Sequence, residues 1–246
     1  MTHMKQSDPS GTDRYFKINH SLSNRLLIRL MNLFIVILGK PVFFLLFGFR
    51  VCGRKNLRKA KKGIIVSNHC LITDAYFIGT STWPRQTWYA VESNNILRKD
   101  VGWLNRLNGA FGIPDAYPMA ISTSVREAMT RNEYVTIFPE GRQVNRNQQL
   151  IPFHKGGFYI ALENEVPIIP MAEVLRSSRF QKRFPWIPPR VRLIILDPIE
   201  TKDFGDPDVS LRKKSAELAD LTRMRIQETI DREGGEKDLY REPLFQ

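Results

Sequence analysis

Apolar residues run almost unbroken from 26 to 49 and then give way to a basic stretch that begins at Arg50 and ends at Lys61-Lys62. Beyond residue 62 the pattern changes. Short apolar runs rich in β-branched residues at 64–67, 88–91, 110–113, 134–138, 167–171 and 191–196 have the length of buried strands. Between them the spacing predicts helices over 74–79, 119–131 and 155–163. A last amphipathic helix over 210–232 carries Leu211, Leu218, Leu221 and Ile230 roughly in phase and stops at Gly234-Gly235. Strands alternating with helices predict an α/β fold, with a mixed, largely parallel sheet flanked by helices. The chain divides into a floppy tail plus basic membrane-associating helices (1–62), an α/β core (63–205), and a C-terminal amphipathic helix and tail (206–246). The tail proper is the first ~14 residues.

The N-terminal apolar stretch is too broken to read as a span. Crossing a bilayer takes about 20 mostly apolar residues. The best window, 30–49, has that length but places Lys40 and Pro41 at its centre. A central Lys costs about 2.5–3.5 kcal/mol, and Gly39-Lys40-Pro41 reads as a break. The pieces on either side, 26–38 and 42–49, are each too short to cross. Within the first, Arg25, Arg29 and Asn32 share one narrow helical stripe. The expectation is a pair of helices lying in one leaflet, with Lys and Arg reaching to anionic headgroups; a buried core helix pair is the competing reading. The charge-interrupted run lacks a small-x-small cleavage site, which argues against a signal peptide. The basic flank places the body on the cytoplasmic side.

Charge sharpens this picture. The 246 residues carry a net +12, and 42% are hydrophobic, which excludes a mainly disordered protein; two cysteines exclude a disulfide scaffold. Residues 1–62 hold 13 Lys/Arg and two acids, whereas the rest holds 24 basic and 23 acidic residues. A nucleic-acid-binding fold puts positive charge on its main domain. Here the charge flanks an apolar stretch, so the expected acidic partners are anionic lipid and phosphorylated substrates, with no nucleic acid.

The strand at 64–67 runs into Asn68-His69, and Asp74 follows five residues after the histidine at the start of the next helix. The open end of a strand is where α/β sheets place ligands, and a strand–loop–helix turn lets the carboxylate fold back onto the imidazole. Such a pair makes a general base near pH 7, its tautomer set and its charged form stabilised by the carboxylate. A structural His–Asp hydrogen bond is the alternative. No Gly-x-Ser-x-Gly elbow is present, so the base is expected to activate a substrate hydroxyl directly. Cys70 adjoins the base, but neighbouring side chains diverge, which argues against a thiol nucleophile. Of four histidines, His3 and His20 lie in the tail and anchor, so no metal cluster is expected.

A second constellation follows the strand at 134–138: Phe138-Pro139-Glu140-Gly141-Arg142. Gly141 permits an unusual turn, Arg142 can grip a phosphate as a fixed fork, and Glu140 can orient that arginine. A polar surface turn is the alternative. Downstream, Phe153-His154-Lys155-Gly156-Gly157 opens a helix whose N-terminus and Lys155 add positive potential.

Together these segments resemble the lysophospholipid acyltransferase family, typified by 1-acylglycerol-3-phosphate acyltransferase. Asn68-His69-x4-Asp74 matches its NHxxxxD block, residues 138–142 its FPEG block, residues 103–115 its intermediate block, and residues 166–170 its late proline-containing block. Arg142 directly after Gly141, and Ala116-Tyr117-Pro118 after Asp115, resemble the bacterial branch that reacylates lysophosphatidylethanolamine. The resemblance implies transfer of a fatty acyl group from an acyl-CoA or acyl-carrier-protein thioester to a lysophospholipid hydroxyl, with no cofactor, at the cytoplasmic face of a bacterial inner membrane. His69 and Asp74 are then the catalytic pair, and Glu140, Gly141, Arg142 and Lys155 the acceptor's phosphate site. Alternatives are a non-catalytic lipid-binding protein of the same fold, a hydrolase using the pair on water, and transfer to an acceptor that is not a glycerophospholipid.

Overall fold

The structure, a computed structural model, describes residues 12–239 apart from Ala116 and Pro185. Most of the expected tail, with His3, and the last seven residues lie outside the described residues. Seven strands form one sheet: β1 (Arg50–Cys52), β2 (Gly63–Ser67), β3 (Thr87–Glu92), β4 (Ala110–Ile113), β5 (Tyr134–Ile137), β6 (Ile168–Arg176) and β7 (Arg190–Ile195), in the order β1-β7-β6-β2-β5-β3-β4. Only β6 and β7 run antiparallel, so the sheet is mixed and largely parallel, as expected. The helices are α1 (Leu22–Phe34), α2 (Lys40–Phe47), α3 (Asn56–Lys59), α4 (Asp74–Thr82), α5 (Ser93–Leu97), α6 (Gly102–Leu107), α7 (Ile121–Thr130), α8 (Gly156–Glu163), α9 (Arg179–Arg183) and α10 (Leu211–Arg232).

Both faces of the sheet are covered, and the two-residue period of the strands shows how. Along β2, Ile64 and Val66 join a core made with α7, α8 and α10. Ile65 joins a second core with Phe77 and Ile78 of α4, Leu57 of α3 and Phe49. Burial on both faces is why the central strands read as continuous apolar runs. Residues 50–52, which the sequence places in the basic flank, form an edge strand paired in parallel with β7. Strand β6 runs to Arg176, past its expected end at residue 171, because β7 supplies ladder partners along that length. Helix α10 buries Leu218, Ile226 and Ile230 in the first core, so the C-terminal helix is part of the α/β body.

The N-terminal stretch differs from its expectation in two respects. A single helix of 26 residues runs from Leu22 to Phe47, its most apolar 18-residue window having a mean hydropathy of 2.2, in place of a pair. Pro41 does not break it. One π turn at Ile35–Gly39 re-spaces the ladder, and Pro41 falls in the first turn after it, where the missing N–H and the ring are accommodated. At about 1.5 Å per residue the helix is long enough to cross a bilayer. Its inner face, however, packs along the body: Ile28 is fully buried, and Phe43 and Phe47 meet Phe77 edge-on. The outer face presents Leu26, Leu30, Phe34, Ile37, Phe44 and Leu45 to the surroundings.

Arg25 also departs from the expected headgroup-facing role. It pairs at 2.5 Å with Glu133, whose side chain is only 3% exposed and also accepts the Trp88 indole N–H at 2.7 Å. His20 meets the Trp88 ring edge-on. This cluster bolts the base of the helix to β3 and the start of β5. Removing the carboxylate by Glu133→Ala strands the indole N–H and the guanidinium, so unfolding measurements should show a loss of about 3 kcal/mol. An unchanged unfolding midpoint contradicts this role.

Candidate active site

Strand β2 ends at Ser67, and the next two residues leave the sheet at its carboxyl edge. The Asn68 side chain acts as an extra rung of the ladder: Oδ1 accepts the Glu173 backbone N–H at 2.8 Å and Nδ2 donates to the Glu173 carbonyl at 3.0 Å. This anchors the exit of β2 against β6. The chain then turns into α4, whose first residue is Asp74, fully buried.

The Asp74 carboxylate closes the turn. Oδ2 accepts the Cys70 N–H at 2.8 Å, and both oxygens accept the Leu71 N–H, at 2.9 and 3.0 Å. Oδ2 also lies 2.8 Å from His69 Nδ1. With a carboxylate at Nδ1 that nitrogen carries the proton, and Nε2 keeps its lone pair. The His69 side chain is 25% exposed, so the imidazole is reachable while its partner is sealed. The Phe138 ring stacks on the imidazole with centroids 4.2 Å apart and planes 20° from parallel, which restrains rotation of the His69 ring.

The Phe138–Arg142 segment leaves β5 beside this turn and is laced to it. Val144 N–H donates to the His69 carbonyl at 3.1 Å and Arg146 N–H to the Cys70 carbonyl at 2.8 Å. Glu140 is buried, and its Oε1 accepts the His69 backbone N–H at 2.9 Å. The Glu140 carboxylate thus holds the histidine's backbone, where the sequence reading had it orienting Arg142. Burial pushes its carboxyl up to about 7, against the pull of the His69 and Ile151 N–H groups. Gly141 has φ 72°, and a Cβ there would lie 2.6 Å from His154 Nε2, so both backbone and space demand glycine. His154 N–H in turn donates to the Pro139 carbonyl at 2.8 Å. Arg142 and Lys155, the latter capping α8, are therefore exposed on two touching loops at the edge that carries His69. Among the described residues neither forms an ion pair.

Cys70 is 1% exposed, and burial with the nearby carboxyls pushes its thiol well above the ordinary range, so it is an inert core sulfur. Sequence reasoning missed two members of the site. Phe138 entered only as part of a motif, and Glu173 lay beyond the expected end of its strand. One donor atom each of Cys70, Asp74 and Glu173 lies within 4.8 Å of the others, all three buried. They are the described residues best placed to meet a metal ion, but the Asp74 oxygens are already engaged by three N–H groups.

The fold and the site define a class: an α/β protein with a histidine on a sealed carboxylate and a basic loop at the same sheet edge. A family model described as "Acyltransferase" matches residues 48–174, and the chain belongs to that family. It is 31% identical over 167 residues to human 1-acyl-sn-glycerol-3-phosphate acyltransferase beta, covering 65% of this chain and 59% of the relative. It is 28% identical over 191 residues to 1-acyl-sn-glycerol-3-phosphate acyltransferase of Limnanthes douglasii, covering 72% and 64%. The chain thus spans about three fifths of the length of these curated relatives. The fold is similar to that of the 1-acyl-sn-glycerophosphate acyltransferase PlsC from Thermotoga maritima, with a TM-score of 0.57 at 20% identity over 85% of this chain and 84% of that one.

Glu140 carries a pH signature. Its carboxyl holds a proton up to about 7 in the folded chain against 4.5 ordinarily, so folding takes up a proton between these values. Its stabilising contribution is complete below about 4.5 and is lost as pH rises through about 7. The Glu140→Gln variant lacks that dependence. Thermal melts from about pH 5 to 8 should show it gaining steadily on the wild type; a gap that does not move with pH contradicts the assignment.

Proposed function

We propose that the protein is a membrane-associated O-acyltransferase that moves a fatty acyl group from an acyl-CoA or acyl-carrier-protein thioester to the free hydroxyl of a lysophospholipid. The observation that carries the reading is the buried Asp74 on Nδ1 of a partly exposed His69, beside two exposed cations. His69 Nε2 takes the acceptor's hydroxyl proton, and the oxygen attacks the thioester carbonyl. Asp74 stabilises the imidazolium, an arrangement typically worth 10²–10⁴ in rate. The tetrahedral intermediate collapses, the C–S bond breaks, and the departing thiolate takes the proton back from His69. A thiolate is a good leaving group, so the step needs no cofactor. Arg142 and Lys155 hold the acceptor's phosphate; Gly141 gives their loop its turn, and Glu140 ties it to the base.

The N-terminal helix supports the membrane reading. Its apolar outer face has no cover from the described body, and its inner face is docked along that body, as suits a helix lying in one leaflet rather than crossing it. Ile72, 83% exposed in the turn between His69 and Asp74, adds an apolar side chain beside the site. The bacterial inner membrane, cytoplasmic face, fits the basic flank. The Arg142 placement and the Asp115-to-Pro118 sequence resemble the branch that reacylates lysophosphatidylethanolamine, and the relatives are named for 1-acyl-sn-glycerol-3-phosphate, so both are acceptors to test.

Membranes carrying the protein, given labelled palmitoyl-CoA and a panel of lysolipids, should produce one labelled diacyl lipid. His69→Ala should abolish it with the fold intact; transfer that persists in that variant contradicts the mechanism. Release of labelled fatty acid without any acceptor favours hydrolysis. Arg142→Ala should raise KM for the lysolipid about tenfold or more with kcat little changed. An effect confined to the donor's KM contradicts the phosphate assignment.

A further inference from the structure

Strand β6 alternates faces in the ordinary way. Ile168, Ala172 and Val174 join one core, and Ile169, Met171 and Leu175 the other. Glu173 falls in the second series, a carboxyl at a position the pattern reserves for an apolar side chain, and it is fully buried. Its backbone is pinned: N–H to Asn68 Oδ1, and the carbonyl receives Asn68 Nδ2 at 3.0 Å and Gln148 Nε2 at 3.2 Å. The side chain is thereby fixed beneath the His69 turn, within 4.8 Å of the Asp74 carboxylate and the Cys70 sulfur. Among the described residues no cation pairs with it, neither oxygen receives an N–H or hydroxyl donor, and the weak thiol donor of Cys70 is what faces it.

Two carboxyls this close in a dry interior do not both ionise. Asp74 is the one equipped for charge: it receives the N–H groups of Cys70, Leu71 and His69 Nδ1 and sits in the first turn of α4, where the helix dipole favours an anion. Glu173 has no such donors, and burial together with the Asp74 charge drives its carboxyl well above the ordinary range.

We propose that Glu173 is a positioning residue that stays protonated through the reaction, directing its O–H to the Asp74 carboxylate and confining the dyad to one negative charge. The consequence lies at the base. A second full charge beneath His69 would favour imidazolium and leave less free base at neutral pH. A neutral carboxyl leaves the imidazole able to accept a proton, while its hydrogen bond keeps the Asp74 oxygens aimed at Nδ1. This inference rests on the reading of His69 as the general base.

The test uses the full chain in membranes, with kcat, KM and the pH dependence of kcat/KM measured for the wild type, Glu173→Met, Glu173→Gln and His69→Ala. The Met variant removes the donor at similar volume and should lower kcat about tenfold or more with KM little changed. The Gln variant restores a neutral donor and should recover most of kcat, with the acid limb of the profile within about 0.3 units of wild type. An acid limb lowered by about one unit or more in Glu173→Gln means that a negative charge was removed, and overturns the proposal. So does wild-type kcat in Glu173→Met, or a stoichiometric metal ion in the purified protein that is lost in Glu173→Gln. Infrared difference spectra of wild type against Glu173→Met at alkaline pH give a reading independent of turnover. A carbonyl band of a protonated carboxylic acid, present only in wild type, supports the proposal, and its absence overturns it. Undiminished transfer by His69→Ala defeats the general-base reading itself, whatever the Glu173 variants do.

Discussion

A buried carboxylate can persist only where donors surround it, and Asp74 organises the site by collecting them. It lies at the first turn of α4 with no solvent contact, and it receives two backbone N–H groups from the turn before it and the Nδ1–H of His69. These bonds shape the turn and aim the imidazole in one act. The turn forms because the charge must be satisfied, and the histidine points outward because its inner nitrogen completes the shell. Replacing Asp74 with an apolar residue would leave the Cys70 and Leu71 N–H groups without partners, at about 1–3 kcal/mol each.

The surroundings hold that arrangement from three sides. Asn68 bridges the end of β2 to β6 with both atoms of its amide. Glu140 reaches across from the end of β5 to the His69 N–H, and the following loop adds two backbone bonds to His69 and Cys70. Phe138 lies flat on the imidazole. Three adjacent strands, β6, β2 and β5, thus converge on one histidine, and the parallel sheet is what lets their ends meet at one edge. The acyl-transfer proposal asks little more of this scaffold: a phosphate grip from Arg142 and Lys155, and a lipid surface along the outer face of the N-terminal helix.

Much of this was legible along the chain, and the exceptions have physical causes. The buried strands declared themselves because both faces of the sheet are covered, and the His69–Asp74 spacing declared a strand–turn–helix. Strand β1 did not, because three residues between an apolar run and a basic cluster carry no period of their own. The N-terminal helix read as two pieces because Gly39-Lys40-Pro41 has the composition of a break, whereas a π turn absorbs it within a continuous helix. Arg25 read as a headgroup contact because its partner, Glu133, is distant in sequence and becomes a neighbour only through the sheet. Glu173 escaped because a charged residue ends an apolar run by pattern, while the strand continues through it. The signal was present all the same: a lone acid flanked on both sides by apolar residues is an expensive choice for a core strand.

Acyl transfer by this site depends most on the bond between Asp74 and His69 Nδ1, and Asp74→Asn tests it with the least disturbance of shape. The decisive quantity is kcat for acyl transfer from palmitoyl-CoA to lysolipid by membranes carrying that variant at neutral pH, with the folded fraction matched to wild type. An amide at this position can present its N–H to the ring and select the wrong tautomer. The expected result is a fall in kcat of about 10³-fold or more with lysolipid KM little changed. Turnover within a few-fold of wild type would mean that the buried pair is only structural, and that another group does the work assigned here to His69.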